Sequence, residues 1–156
     1  MTLLSDIYNG RILELAGNIP HSERLTNPDA TARAHSKLCG STIEVDIKME
    51  GDRVSEYGQT VKACLLGQSA AAIMGHNIIG SSAQELRQVR ADMADMLKEN
   101  GTPPAGKWAD LELLEPVRDF KARHTSTLLV FDAVLVAISQ IEDARADEAP
   151  ASQTAN

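Results

Sequence analysis

The strongest constraint on this chain is a strict two-residue alternation at 42–49. Ile43, Val45, Ile47 and Met49 fall on one parity, and Thr42, Glu44, Asp46 and Lys48 on the other. Successive side chains of a strand point to opposite faces, so the segment predicts a strand with one apolar and one wet face. A helix would scatter the same residues around its circumference. Glu50-Gly51-Asp52-Arg53 then reads as a hairpin turn, since glycine supplies the positive φ that short loops need. The turn leads into a strand over 54–63, where Gly58 marks a bulge or a close backbone approach. Upstream, Ala32, Ala34, Ser36 and Leu38 alternate with Arg33, His35 and Lys37 and predict a further strand.

Helical spacing surrounds this block. Leu4, Ile7, Tyr8, Ile12 and Leu15 predict a helix over 4–16, ended by Gly17-Asn18 and Pro20, with a connecting loop over 18–30. From Cys64 the pattern is helical again, with Leu65, Leu66, Ala70, Ile73 and Met74 toward a core and a break at 75–80. Ser82-Ala83-Gln84-Glu85 is a capping box, so Glu85 reads as a cap residue. It opens a helix to about residue 100, with Leu86, Val89, Met93, Met96 and Leu97 on one side. A short helix is predicted over 108–114, ended by Pro116. The last helix, over 127–141, is apolar on much of its circumference and therefore buried. Beyond Glu142 no large apolar residue occurs, which predicts one domain over 1–143 and a disordered tail over 144–156. The fold class is α+β, a small antiparallel three-stranded sheet with helices packed on one face.

Composition removes several functions. Aromatic residues make up 3% of the 156, so the core is aliphatic and alanine-rich. The net charge of −7, without a long basic run, argues against a nucleic-acid partner, which would need a cationic face for phosphates. No run reaches the roughly 18–20 consecutive apolar residues of a membrane span. The first residues lack the cationic start of a secretory signal, so a cytoplasmic location with reduced thiols is expected. No Gly-x-Ser-x-Gly or glycine-rich phosphate loop occurs, and Met49, Met74, Met93 and Met96 read as core filler.

The two cysteines are the candidate chemistry. Cys39 ends a strand-like stretch and runs into Gly40-Ser41, and Cys64 stands where strand gives way to helix. A helix start favours a thiolate, and thiolates attack sulfur, so Cys64 is a candidate persulfide carrier with Cys39 as a second acceptor. The alternatives for Cys64 are a buried small hydrophobe or a disulfide to Cys39.

Strand–Cys-Gly–strand, hairpin, strand–Cys–helix and a final buried helix together resemble the NifU/IscU/SufU family of iron–sulfur scaffold proteins, of SufE/NifU-like fold. The resemblance rests on Leu38-Cys39-Gly40-Ser41, Ala63-Cys64 with the helix after it, and Arg123-His124-Thr125-Ser126-Thr127. It covers about residues 4 to 141, and 81–108 resembles the insertion of the SufU type. It implies an iron–sulfur cluster or zinc as cofactor, a cysteine desulfurase and other assembly proteins as partners, and a monomer or weak dimer. By the same resemblance Cys39 and Cys64 are metal ligands. Ser41 stands in place of the ligand Asp, Ser126 in place of a third cysteine, and Thr125 where IscU types carry a histidine. Zinc and clusters take about four donors, and a neutral hydroxyl is a poor one. His124, or His35 on the strand parity of Cys39, is a candidate to complete a Cys/Cys/His site; His21 and His76 read as exposed loop residues. The readings left open are a scaffold or sulfur carrier, a metal-free interaction module and a small zinc protein.

Overall fold

The alternating segment forms the central strand of the sheet. A computed structural model describes residues 10–37 and 40–154. Its strands β1 (Ala30–His35), β2 (Thr42–Glu50) and β3 (Arg53–Lys62) pair antiparallel in that order. Ile43 stands between Ala34 and Val61, and Ile47 between Ala30 and Tyr57. Ile43, Val45 and Ile47 are completely buried. Gly51 has φ +62 in the two-residue hairpin loop, the conformation that loop requires. The ladder irregularity falls at Lys48/Met49, and Gly58 proves to be the close approach rather than the bulge. β1 starts and stops earlier than its alternation predicts. Ser36 leaves the ladder to form a reversal, its N–H donating to Ser41 O (2.8 Å) and its carbonyl accepting from Gly40 N (2.9 Å). Leu38 and Cys39 lie outside the described residues, as does the predicted helical segment before Gly10.

The helices are α1 (Gly10–Gly17), α2 (Leu65–Asn77), α3 (Ala83–Lys98) and α4 (His124–Thr154), with 3-10 segments Gly106–Asp119 and Lys121–Arg123. α4 packs on β1 and β2, α2 on β3 and α4, and α1 against α2. The helices thus cover one face of the sheet. The long 3-10 segment replaces the short helix predicted over 108–114 and runs through Pro116. Its buried residues Trp108, Leu111, Leu114 and Val117 recur every three residues, the period of a 3-10 helix.

α4 runs to Thr154, through the stretch from 144 where composition predicts disorder. Ala144, Arg145, Ala146 and Glu148 are good helix formers, and Arg145 donates to the carbonyls of Gly51 and Met49 in the hairpin. By length and hydropathy Lys121–Glu148 matches a membrane span, yet 67% of its most apolar window is buried inside the domain. It is the core helix.

The polar parity of β2 is not simply wet. The loop 18–29 passes over it as a strap. Asp46 is completely buried and accepts from Arg24 Nε (2.7 Å) and Nη2 (3.1 Å), Leu25 N (3.0 Å) and Thr31 Oγ1 (2.6 Å). Burial pushes its carboxyl up, but these hydrogen bonds and the Arg24 charge outweigh that and hold it below the ordinary carboxylate value. A Cβ on Gly58 would lie 2.3 Å from Glu23 O, so only glycine lets the strap approach. Gln59 completes the clasp: its Nε2 donates to Pro20 O (3.1 Å) and Ala71 O (3.0 Å), and Tyr57 donates to its Oε1 (3.0 Å).

Ser82 caps α3 as predicted, accepting from Glu85 N at 3.1 Å. The Glu85 carboxylate instead takes Trp108 Nε1 (2.8 Å) and Lys107 Nζ (3.0 Å), pinning the 3-10 segment to α3. Burial raises this carboxyl, and the hydrogen bonds from Trp108 and Lys107, the Lys107 charge and Ser81 together bring it below its ordinary value.

Candidate functional site

β3 ends at Lys62, and Cys64 is the N-cap of α2, in extended conformation with φ −65 and ψ 169. Its carbonyl already accepts from Gln68 N (2.9 Å), so the helix begins at the cysteine itself. The thiol is free and half-buried. The backbone N–H of Cys64 donates to Ser41 Oγ at 3.3 Å. Ser41 is buried and anchored by the reversal at Ser36. One turn into α2, Gly67 leaves no room for a side chain. A Cβ there would lie 2.8 Å from Ala63 Cβ and 3.3 Å from Ser126 O. The start of α2 therefore packs directly on the first turn of α4, where Ser126 is fully buried. Ser69 ties in α1, its hydroxyl lying 3.0 Å from Ile12 O and 2.9 Å from Leu65 O.

The structure thus brings the neighbourhoods of Ser41, Cys64 and Ser126 to one end of the sheet. Cys39, two residues before Ser41, lies outside the described residues. The two candidate histidines have other partners. His35 is exposed with Nδ1 3.0 Å from Thr42 Oγ1. His124 is buried, with Nε2 3.1 Å from Val117 O and 3.2 Å from Arg118 O. Carbonyls only accept, so Nε2 carries the proton and is no metal donor. His21 is exposed, as expected of a loop residue, with its ring edge-on to Tyr57 at 6.2 Å. His76 is exposed in the last turn of α2 rather than in a loop.

A zinc ion or a cluster requires about four converging donors, mostly thiolate, imidazole or carboxylate. Among the described residues no group of three or more His, Cys, Asp or Glu side chains converges to hold a metal. Ser41 presents its hydroxyl to a backbone N–H instead. The described residues do not fit a resident metal. The sequence gives no local sign of a second feature nearby, in which Lys98, Arg118 and Lys121 meet around a cavity beside His124. Those cations come from three different elements, so no spacing rule reveals them.

No family model matches the chain. Two curated relatives span most of it. The iron–sulfur cluster assembly scaffold protein IscU of Thermotoga maritima is 21% identical over 135 residues, covering 86% of this chain and 94% of the relative. The zinc-dependent sulfurtransferase SufU of Bacillus subtilis is 22% identical over 139 residues, covering 89% and 94%. Among solved structures, a putative SufU scaffold of Fervidobacterium islandicum shares the fold at a TM-score of 0.80 with 16% identity, covering 87% of this chain and 99% of that one. The chain belongs to the NifU/IscU/SufU family of iron–sulfur cluster assembly scaffolds. Within it, the nitrogen-fixing NifU-like protein (N-terminal part) of Brucella abortus is 54% identical at a TM-score of 0.89, covering 91% of this chain and 99% of that one.

Proposed function

We propose that this protein works in iron–sulfur cluster assembly as a sulfur acceptor, meeting a cysteine desulfurase in the cytoplasm, rather than as a lone holder of zinc or a cluster. The observation that carries the reading is a free, half-buried Cys64 at a helix start, its backbone N–H donating to the hydroxyl of Ser41, which the family resemblance puts in place of a ligand carboxylate. The Cys64 thiolate attacks the outer sulfur of the desulfurase persulfide. A new S–S bond forms on Cys64, the S–S bond of the enzyme breaks, and the desulfurase departs as its thiolate. No external oxidant or reductant is consumed. Cys39 serves as the second acceptor.

Anaerobic incubation with a desulfurase and cysteine, followed by intact-mass measurement, tests this. A gain of about 32 Da that disappears in Cys64→Ser is the expected result. No added sulfur on the wild-type chain overturns it. A metal-free docking role is the second reading, favoured by the burial of Ser41 and Ser126 at the ligand positions. It predicts that Cys39→Ser/Cys64→Ser still modulates cluster assembly by its partners.

A further inference from the structure

A cavity of about 470 Å³ opens where the end of α3, the end of the long 3-10 segment and the start of α4 meet. Lys98, Arg118 and Lys121 line it, and Asp119 is the only acid among its lining residues. For a chain of net charge −7, that excess of cations is a local exception. Lys98 and Lys121 are exposed and form no ion pair among the described residues. Arg118 places Nη2 3.3 Å from Glu115 and 3.4 Å from Gly101 O, but its buried Nε has no hydrogen-bond partner. Buried donors are rarely left unpaired, so Arg118 is held short of its full hydrogen-bond complement. Thr125, in the first turn of the 31-residue α4, adds the positive end of a helix dipole.

We propose that this cavity binds a carboxylate. Ammonium and guanidinium groups only donate, so the matching ligand is an anionic acceptor. Asp119 reduces the positive excess, which suits carboxylates, each carrying one charge, better than a phosphate that concentrates two charges on one group. The volume falls within the roughly 300–1,000 Å³ of ordinary ligand sites. The carboxylate comes either from a free small acid or from acidic side chains of a bound protein. The inference stands independently of sulfur transfer at Cys64.

The test is a titration of the full-length, isotope-labelled chain at constant ionic strength, read by amide and Arg118 Nε–H signals. The probes are sodium succinate, inorganic phosphate, sodium chloride and a capped Gly-Asp-Gly-Asp-Gly peptide with its Asn counterpart. Saturable shifts at Lys98, Arg118 and Thr125 are expected with succinate or with the Asp peptide. Lys98→Ala/Lys121→Ala, both at exposed positions, should weaken that binding by roughly tenfold. Tighter binding of the Asp peptide than of succinate assigns the site to a protein partner, and the reverse assigns it to a free acid. Equal responses to sodium chloride, tighter binding of phosphate, unchanged affinity in the double variant, or no binding of either carboxylate each overturns the proposal.

Discussion

The strap over the sheet and the thiol end of the molecule handle polar groups in opposite ways. At the strap, a carboxylate with no exposed surface is kept charged because Arg24, Leu25 N–H and Thr31 all converge on it. At the thiol end, the buried polar side chains are neutral hydroxyls. Ser41 and Ser126 are both buried there. A hydroxyl needs only a local partner, and Ser41 finds one in the N–H of Cys64. A buried carboxylate or thiolate would need a cation or a metal instead. One end therefore depends on ionic convergence for its stability, and the other on hydrogen bonds between neutral groups.

The largest test of that contrast is Asp46→Ala. It strips the strap of its anchor and leaves Leu25 N–H and Thr31 Oγ1 without their acceptor, which should cost roughly 3 kcal/mol, read as a lower urea midpoint. A loss near zero would break the comparison. Next in size is the reconstruction Ser41→Asp/Ser126→Cys. At a hundredfold excess of zinc over its Kd this variant should gain about 2.7 kcal/mol, whereas the wild-type melting temperature stays unmoved. Without zinc it should be less stable than the wild type, because the added carboxylate is buried. Gly58→Ala comes third, at roughly 2 kcal/mol, since its Cβ meets the strap backbone; faster hydrogen exchange at Leu25 N–H would locate the damage.

Acid should produce a smaller effect. The folded value of Asp46 lies below its unfolded one, so its contribution is complete above about pH 4 and fades as pH falls through the folded value. Thermal melts of Asp46→Asn should lack that part of the acid loss, while Glu85, depressed in the same direction, retains its share. Smallest of all, Cys64→Ser should change stability by no more than about 0.5 kcal/mol. A larger drop would make the thiol a packing residue and weaken the case for its use in sulfur transfer.

Much of the fold was legible because its signals are local. The alternation of β2, the glycine of the hairpin and the Ser82 cap each depend on neighbours within a few residues. At two places the local signal and the structure differ. The repeat of three from Trp108 to Val117 fits a 3-10 segment that runs through the proline, and the helix-forming residues after 144 carry α4 to Thr154 although they lack large apolar side chains. The candidate site was legible only in part. Cys64 at a helix start could be read directly, and the meaning of Ser41 and Ser126 came from resemblance.

By itself the sequence determined that one three-stranded sheet would be covered by a buried aliphatic helix, and that a thiol would stand at the strand-to-helix junction. The tertiary structure alone decided that Asp46 is buried, that Gln59 clasps the strap to α2, and that cations from three elements share one cavity. The division has a physical cause. Backbone periodicity and capping are written into adjacent residues, whereas burial and charge convergence join residues tens of positions apart and exist only once the elements have packed.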